Sequence, residues 1–395
     1  MTRLSSRVIL VAAVTLPLTT IPMPAAAQQL TDVLSFLLTN RSILTGDFAR
    51  DEAAALSTRD AISGLVLTEL ARLPLSSPAS GFTYRLNPAL GTDARSSESF
   101  GPFFVQRSLT SGAGQTTVGV SYRWVAFDRI DGQSLTDGTL VATASRQRGE
   151  TVPFDSETLL LHLESQTVTV SATYGVTDRL DISAAAPFVT LKLRGERLDS
   201  YRGQAFPQAS AHATASGLGD MLFVVKYNVL RRGASGIAVG AEATLPTGDE
   251  DNLLGAGEAI VSPRVIGSFE RDRLGVHGDG GFVVTEPYRQ IDYSGAVTFA
   301  GSSRVTIAAE IIGRRIATGG RLIETVQPHP SLTGIETIRL VGAEDASTRL
   351  LVAAGVRWNV SGRWLLNVNV LRSITSAGLT ASWVPTVTMD YSFGR

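Results

Sequence analysis

The hydrophobic positions of this chain change period near residue 79. Before it, Leu30, Val33, Leu34 and Leu37 recur at helical spacing. A second set follows at Ile62, Leu65, Val66 and Leu70, with Thr58 placed as an N-cap and Pro74 beyond the end. These spacings predict a helical segment over 30–73. From residue 79 onward the period is two. Val118, Val120, Tyr122 and Trp124 alternate with Gly119, Ser121 and Arg123. Phe223, Val225, Tyr227 and Val229 alternate with Val224, Lys226 and Asn228. The same alternation recurs over 237–245, 305–312 and 364–371. In a strand it sends one set of side chains to each face.

One of these faces is continuously apolar. The other is rich in Gly, Ala, Ser, Thr and Asn with isolated charges, which suits the crowded inside of a barrel better than a water-facing sheet rich in Lys and Glu. The strands are also long enough to cross a membrane, which takes about 9–11 residues. The pattern predicts an all-β protein: a transmembrane antiparallel β-barrel preceded by a short helical segment. Fourteen strands are counted, at 81–88, 102–109, 116–128, 157–175, 180–195, 217–230, 236–247, 258–270, 274–286, 290–301, 304–315, 348–358, 363–373 and 379–393. A twelve-strand alternative leaves 81–88 and 102–109 outside the wall. Short links alternate with links that include long ones at 129–156, 197–216 and 316–347, the rhythm of periplasmic turns and external loops. Trp124, Tyr174, Trp358 and Tyr391 sit where interfacial girdles belong. Pro385, inside the last strand, predicts a bulge.

The first residues carry an address. Arg3 and Arg7 precede the apolar run Val8–Leu18, and Ala25-Ala26-Ala27 provides small residues at a cleavage site. This divides the chain into a signal peptide (1–27), a helical N-terminal segment (28–78) and a barrel (79–395), exported to the periplasm and inserted in the outer membrane. Charge changes the picture only by exclusion. Lys+Arg is 35 against Asp+Glu 36, which argues against a nucleic-acid partner held by a basic field. There is no Cys, hence no disulfide scaffold, Cys-ligated metal or thiol nucleophile.

Several segments resemble the outer-membrane barrel family named for the MetA pathway of phenol degradation. They are Tyr174-Gly175-Val176-Thr177-Asp178-Arg179-Leu180-Asp181, Gly217-Leu218-Gly219-Asp220, and Leu245-Pro246-Thr247-Gly248-Asp249 followed by Leu254-Gly255-Ala256-Gly257. The run from Ser99-Phe100-Gly101-Pro102 to Trp124-Val125-Ala126-Phe127-Asp128 is similar to the same group. The resemblance covers about residues 80–395. It implies an outer-membrane protein of the kind often called a transporter, associated with uptake of aromatic or other hydrophobic compounds. In architecture alone the chain is also similar to long-chain fatty-acid transporter barrels.

Alternation nominates ten lumen-lining residues: Arg123, Asp220, Lys226, Glu242, Arg264, His277, Asp279, Asp292, Glu310 and Arg357. Charges inside a barrel are costly unless paired or hydrated, so they form a salt-bridge ladder, a polar constriction, or both. His277 and Asp279 share a face, and Ser262 and Ser294 lie on adjacent strands, but no motif joins them into a triad; no catalytic residue and no enzyme activity are expected. Asp249-Glu250-Asp251 offers hard oxygen ligands, yet reads first as a solvated loop. No metal site and no cofactor are expected. The function expected is passive passage of small, hydrophobic or aromatic solutes, with 30–73 plugging the lumen or sitting at the periplasmic mouth. The alternative is a non-transporting scaffold or adhesion barrel acting through its external loops. The expected partners are outer-membrane lipid, a small-molecule solute and, through the C-terminal strand, the barrel-assembly machinery.

Overall fold

Twelve strands, each hydrogen-bonded to two antiparallel neighbours, close into one wall in a computed structural model of the chain. They are β1 (Thr116–Phe127), β2 (Asp155–Gly175), β3 (Leu180–Tyr201), β4 (Met221–Arg232), β5 (Ser235–Leu245), β6 (Ile260–Arg271), β7 (Leu274–Thr285), β8 (Tyr288–Ser302), β9 (Val305–Ile316), β10 (Ser347–Ser361), β11 (Trp364–Ser373) and β12 (Val384–Phe393). β12 pairs with β1 through Phe393↔Thr116, and β1 pairs with β2 through Thr116↔Tyr174. The structure describes residues 29–38, 56, 58–67, 81–87, 92–285, 288–317, 320–329 and 332–394. The expected signal peptide and the helix end at Leu70–Pro74 lie outside the described residues.

The alternative count of twelve is the one observed. The two segments expected as first strands are not in the wall. Within 81–88 only Tyr84–Asn87 is strand, paired with Thr92–Arg95 in a separate hairpin. Residues 102–109 form no strand. Their apolar side chains imitate a strand pattern because they too are buried, but inside the barrel. The remaining twelve expected strands all correspond to wall strands.

The outer face explains why this wall needs lipid. Val120, Tyr122, Val225, Tyr227, Val265, Phe269, Ile307 and Val368 are all exposed, part of an apolar band far too broad for a water-soluble surface. Most wall strands have 10–12 residues, about 40 Å of chain, which at a 45° tilt spans the ~25 Å apolar band of such barrels. Tyr174, Trp358, Trp364, Tyr391 and Phe393 edge the band at the short-turn end. There Trp364 and Tyr391 pack with ring centroids 4.7 Å apart. Trp124 and Trp383 lie toward the other edge.

Beyond the long-loop edge the wall rises on one side. β2 and β3 pair along their full length, from Gly175↔Asp181 to Asp155↔Tyr201. Their far halves carry Val141–Gln147, Ile335–Gly342 and Leu322–Pro328 on one side and Gln204–Leu218 on the other. The links at 129–156, 197–216 and 316–347 are therefore largely strand-built, because their own alternation extends the existing ladder. Pro385 makes no bulge. It pairs in register with Val370 as the second residue of β12, near the strand start, where a missing N–H donor is tolerated.

Helix α1 (Leu30–Leu38) buries Leu30, Val33, Leu34, Leu37 and Leu38 against this raised side. Their cluster includes Leu161, Leu163, Leu191 and Leu193 of β2 and β3, and Ile62, Leu65 and Val66 of a second helix over 58–67. Thr58 donates from Oγ1 to the Leu340 carbonyl at 2.7 Å. The described helical residues thus sit at the long-loop end, opposite the short turns, filling the mouth with an apolar core.

Candidate functional site: an occupied lumen

Every residue from Ser99 to Gly112 is buried, in a stretch with no regular secondary structure. Buried backbone groups must still be hydrogen-bonded. Here the inner faces of the wall strands supply the partners. Near the short-turn end Thr306 accepts from the Phe100 amide at 3.0 Å, and Arg357 donates to the Phe100 and Pro102 carbonyls. Higher up, Glu310 accepts from three successive amides, those of Phe103, Phe104 (2.9 Å) and Val105 (3.0 Å). The chain then crosses to the other wall. Asp279 accepts from the Gln106 amide at 3.1 Å, and Glu242 from the Gln106 side chain at 2.6 Å.

Descending, the Ser108 amide donates to Ser268 at 2.8 Å and its carbonyl accepts from Asn228 at 2.7 Å. Lys226 donates to the Arg107 and Leu109 carbonyls at 3.2 and 2.7 Å. Asp181 accepts from the Ser111 amide. The segment is an arch, standing on the short-turn end with its crown at mid-lumen. Its exit into β1 is tight: Gly112 and Gly114 have positive φ, and a Cβ on Gly175 would run into the Gly112 carbonyl oxygen. Only glycine fits there.

Eight of the ten nominated residues take part in this arrangement or its frame. Glu310, Arg357, Asp279, Glu242 and Lys226 hold the arch directly. Arg264 bridges Glu242, at 3.0 Å, to Asp279. His277 orients Ser268 at 3.0 Å. Asp292 pairs with Arg314 at 3.6 Å. Asp220 instead binds the amides of Gly248 (3.0 Å) and Ala256 (2.7 Å), folding the 246–257 loop inward. Arg123 is buried on β1. The other His277 nitrogen faces Thr298 at 3.2 Å, and Asp279 is engaged by Arg264 and Ser294. The His–Asp–Ser arrangement considered from the sequence is therefore not assembled. Asp249 caps its own loop, through the Asp251 and Asn252 amides, and Asp251 accepts from Thr31 of α1. Among the described residues no group of His, Asp or Glu is placed to hold a metal ion.

Sequence reasoning passed over Asp181, Asn228, Ser268, Thr306 and the arch itself. Alternation does place all four wall residues inward. What conceals them is that a hydroxyl, amide or carboxylate on a lumen face has no partner in the sequence; the partner is a backbone 70 to 210 positions away.

The arch covers one arc of the wall, β3 to β10. On the remaining arc Asn367 Oδ1, both amide atoms of Asn369 and Thr386 Oγ1 are buried without a hydrogen-bond partner among the described residues. Two small cavities lie along it. One, about 10 Å³, is lined by Phe103, Asn367, Asn369 and Thr388. The other, about 30 Å³, lies further toward the long loops among Val125, Phe127, Leu351, Leu379 and Val384. Each is of water size.

One carboxylate beyond the apolar band is held in an unusual state. Asp155 begins β2 on the raised side, where the outward neighbours Ser156 and Thr158 are polar. Burial, and then the Asp199 carboxylate, push its pKa up to about 6.

A closed barrel with an apolar outer belt, whose lumen is filled by its own N-terminal chain, defines a plugged transmembrane β-barrel. The MetA-pathway of phenol degradation family matches residues 142–382, more than half of the chain, and the chain belongs to that family. No curated protein matches it. Among solved structures it is similar to the COG4313 outer membrane channel from Pseudomonas putida F1, with 14% identity, 72% of this chain and 98% of that chain covered, and a TM-score of 0.46. It is also similar to the P. putida toluene transporter TodX (10% identity, 74% and 98%, TM-score 0.32) and to a Pseudomonas aeruginosa FadL homologue (10%, 71% and 89%, TM-score 0.32).

Proposed function

We propose that the protein passes small hydrophobic or aromatic solutes across the outer membrane, and that the arch at 99–112 is the barrier such a solute must move. The observation that carries this reading is that the arch belongs to no ladder of the wall. It is held by side chains alone, so it can leave without breaking the barrel. Each bond is individually modest, about 1 kcal/mol for a neutral pair and about 1.5–3 for a charged one. Water entering an opened lumen would satisfy the same groups. The family and the apolar side chains in the lining above the crown, Val125, Phe127, Leu351 and Val384, support a hydrophobic or aromatic solute.

A reversible lock tests this. The chain has no cysteine, so S108C/S268C introduces a lone pair at a point where the arch touches β6 (amide to hydroxyl, 2.8 Å). In proteoliposomes or planar bilayers, oxidation is expected to abolish flux and a reductant to restore it. Equal flux in both states means that solutes bypass the arch, or that the barrel serves as a scaffold.

A further inference from the structure

We propose that the short-turn rim of the barrel is a collar of guanidinium groups that binds the phosphate headgroups of anionic phospholipid. The short turns of outer-membrane barrels face the periplasm, so the lipid is that of the inner leaflet. This surface lies outside the lumen and does not depend on the passage reading above. Five short turns join wall strands at this end: β2–β3, β4–β5, β6–β7, β8–β9 and β10–β11. Four of them finish on an arginine, Arg179, Arg273, Arg304 or Arg363. The next residue, Leu180, Leu274, Val305 or Trp364, is in each case the first of its strand. Each opens an outward apolar row that continues through the exposed Ile182, Val276, Ile307 and Val368. β4 and β6 add Arg232 and Arg271 as their last residues. All six arginines are exposed.

Turn formation does not explain these arginines. Thr177 closes the first turn on the Arg179 and Leu180 amides, and Gly233, Asp272 and Gly362 supply the positive φ that three others need. Internal pairing does not explain them either. Only two acids stand on the same turns. Asp178 already accepts from the Ala113 amide at 3.1 Å, and Asp272 lies 3.9 Å from Arg271. The guanidinium groups of Arg179, Arg273, Arg304 and Arg363 have no hydrogen bond or ion pair among the described residues. Their depth names the partner. Trp and Tyr rings mark the headgroup level of a bilayer, and Trp364, Trp358 and Tyr391 edge the apolar band at this end. Arg363 adjoins Trp364, and Arg304 adjoins Val305, which pairs with Trp358. The arginines therefore stand where lipid phosphates lie. A guanidinium forks onto two phosphate oxygens, and basic groups at this depth are drawn to anionic lipid.

Tryptophan quenching by brominated lipid tests this in the full-length barrel reconstituted in vesicles. W124F/W383F leaves Trp358 and Trp364 as reporters at the short-turn end, and W358F/W364F leaves Trp124 and Trp383 toward the other. The probes are brominated phosphatidylglycerol and brominated phosphatidylcholine at equal mole fraction. At the short-turn end the anionic lipid is expected to associate about threefold more strongly than the zwitterionic one. That preference is expected to shrink at about 0.5 M salt and to vanish when R179Q, R273Q, R304Q and R363Q are combined. Equal quenching by the two lipids would overturn the proposal. So would a preference that survives the four substitutions, or one seen only by Trp124 and Trp383. If the combined variant does not give a heat-modifiable barrel, R304Q/R363Q changes the two arginines beside the reporters and is expected to remove at least half of the preference.

Discussion

Glu310 fixes the height of the arch, because one carboxylate receives three consecutive backbone amides. Bonds to a charged acceptor are worth about 1.5–3 kcal/mol each. E310Q keeps the shape and removes the charge. Amide exchange over 100–108 is expected to accelerate at least tenfold in the folded barrel, and unchanged protection would mean the cradle contributes nothing. Asp155 gives a second residue-scale expectation. Its pKa near 6 lies above the usual carboxylate value, so the native state binds the proton more tightly than the unfolded chain does. That contribution is complete below about pH 4 and is lost as pH rises through 6. The thermal midpoint of the wild type is thus expected to fall relative to D155N between pH 5 and pH 8. A gap that narrows over that range would contradict the assignment.

At the scale of elements, two of the motifs that carry the family resemblance turn out to be parts of one joint. Asp220, from the Gly-Leu-Gly-Asp run, binds Gly248 and Ala256 of the Pro-Thr-Gly-Asp and Gly-Ala-Gly runs. Thr247 Oγ1 donates to the Gly219 carbonyl at 2.7 Å. A Cβ on Gly248 would strike the Leu254 carbonyl and the Gly255 Cα. The joint folds the loop inward, where Leu253 and Leu254 join the core and Asp251 meets α1. D220A is expected to free the loop and to speed cleavage after Glu250 by endoproteinase Glu-C at least tenfold. Equal resistance would show that the loop is held elsewhere. The third motif is a clamp on the arch. Thr177 closes its turn on the Arg179 and Leu180 amides, while the Asp178 carbonyl accepts from Thr110 and its carboxylate from the Ala113 amide.

For the whole molecule, the lumen is closed by two layers of different character. The helices at 30–38 and 58–67 fill the long-loop end with apolar side chains. The arch closes mid-lumen and below with backbone hydrogen bonds to polar walls. Deleting 29–75 removes the first layer and keeps the second, so its conductance is expected to stay near that of the wild type. Deleting 29–111 removes both and is expected to raise conductance at least tenfold. Full opening by the shorter deletion would make the helices, and not the arch, the barrier.

The sequence by itself determined the wall. A period of two with one apolar face requires a strand between lipid and lumen, and this holds in each of the twelve wall strands. It also determined that Glu310, Asp279 and Lys226 point inward, because alternation is a local property of the backbone. What only the tertiary structure decided is what they point at. Residues 102–109 begin with an apolar run and are buried throughout, but Gly101 and Pro102 and the missing ladder partners leave them as an arch. Its bonds to the barrel run to positions 178–357, and no local pattern encodes such a distance. The lumen's contents are a matter of closure: until the twelve strands meet, the carboxylates and the amides they hold are not neighbours.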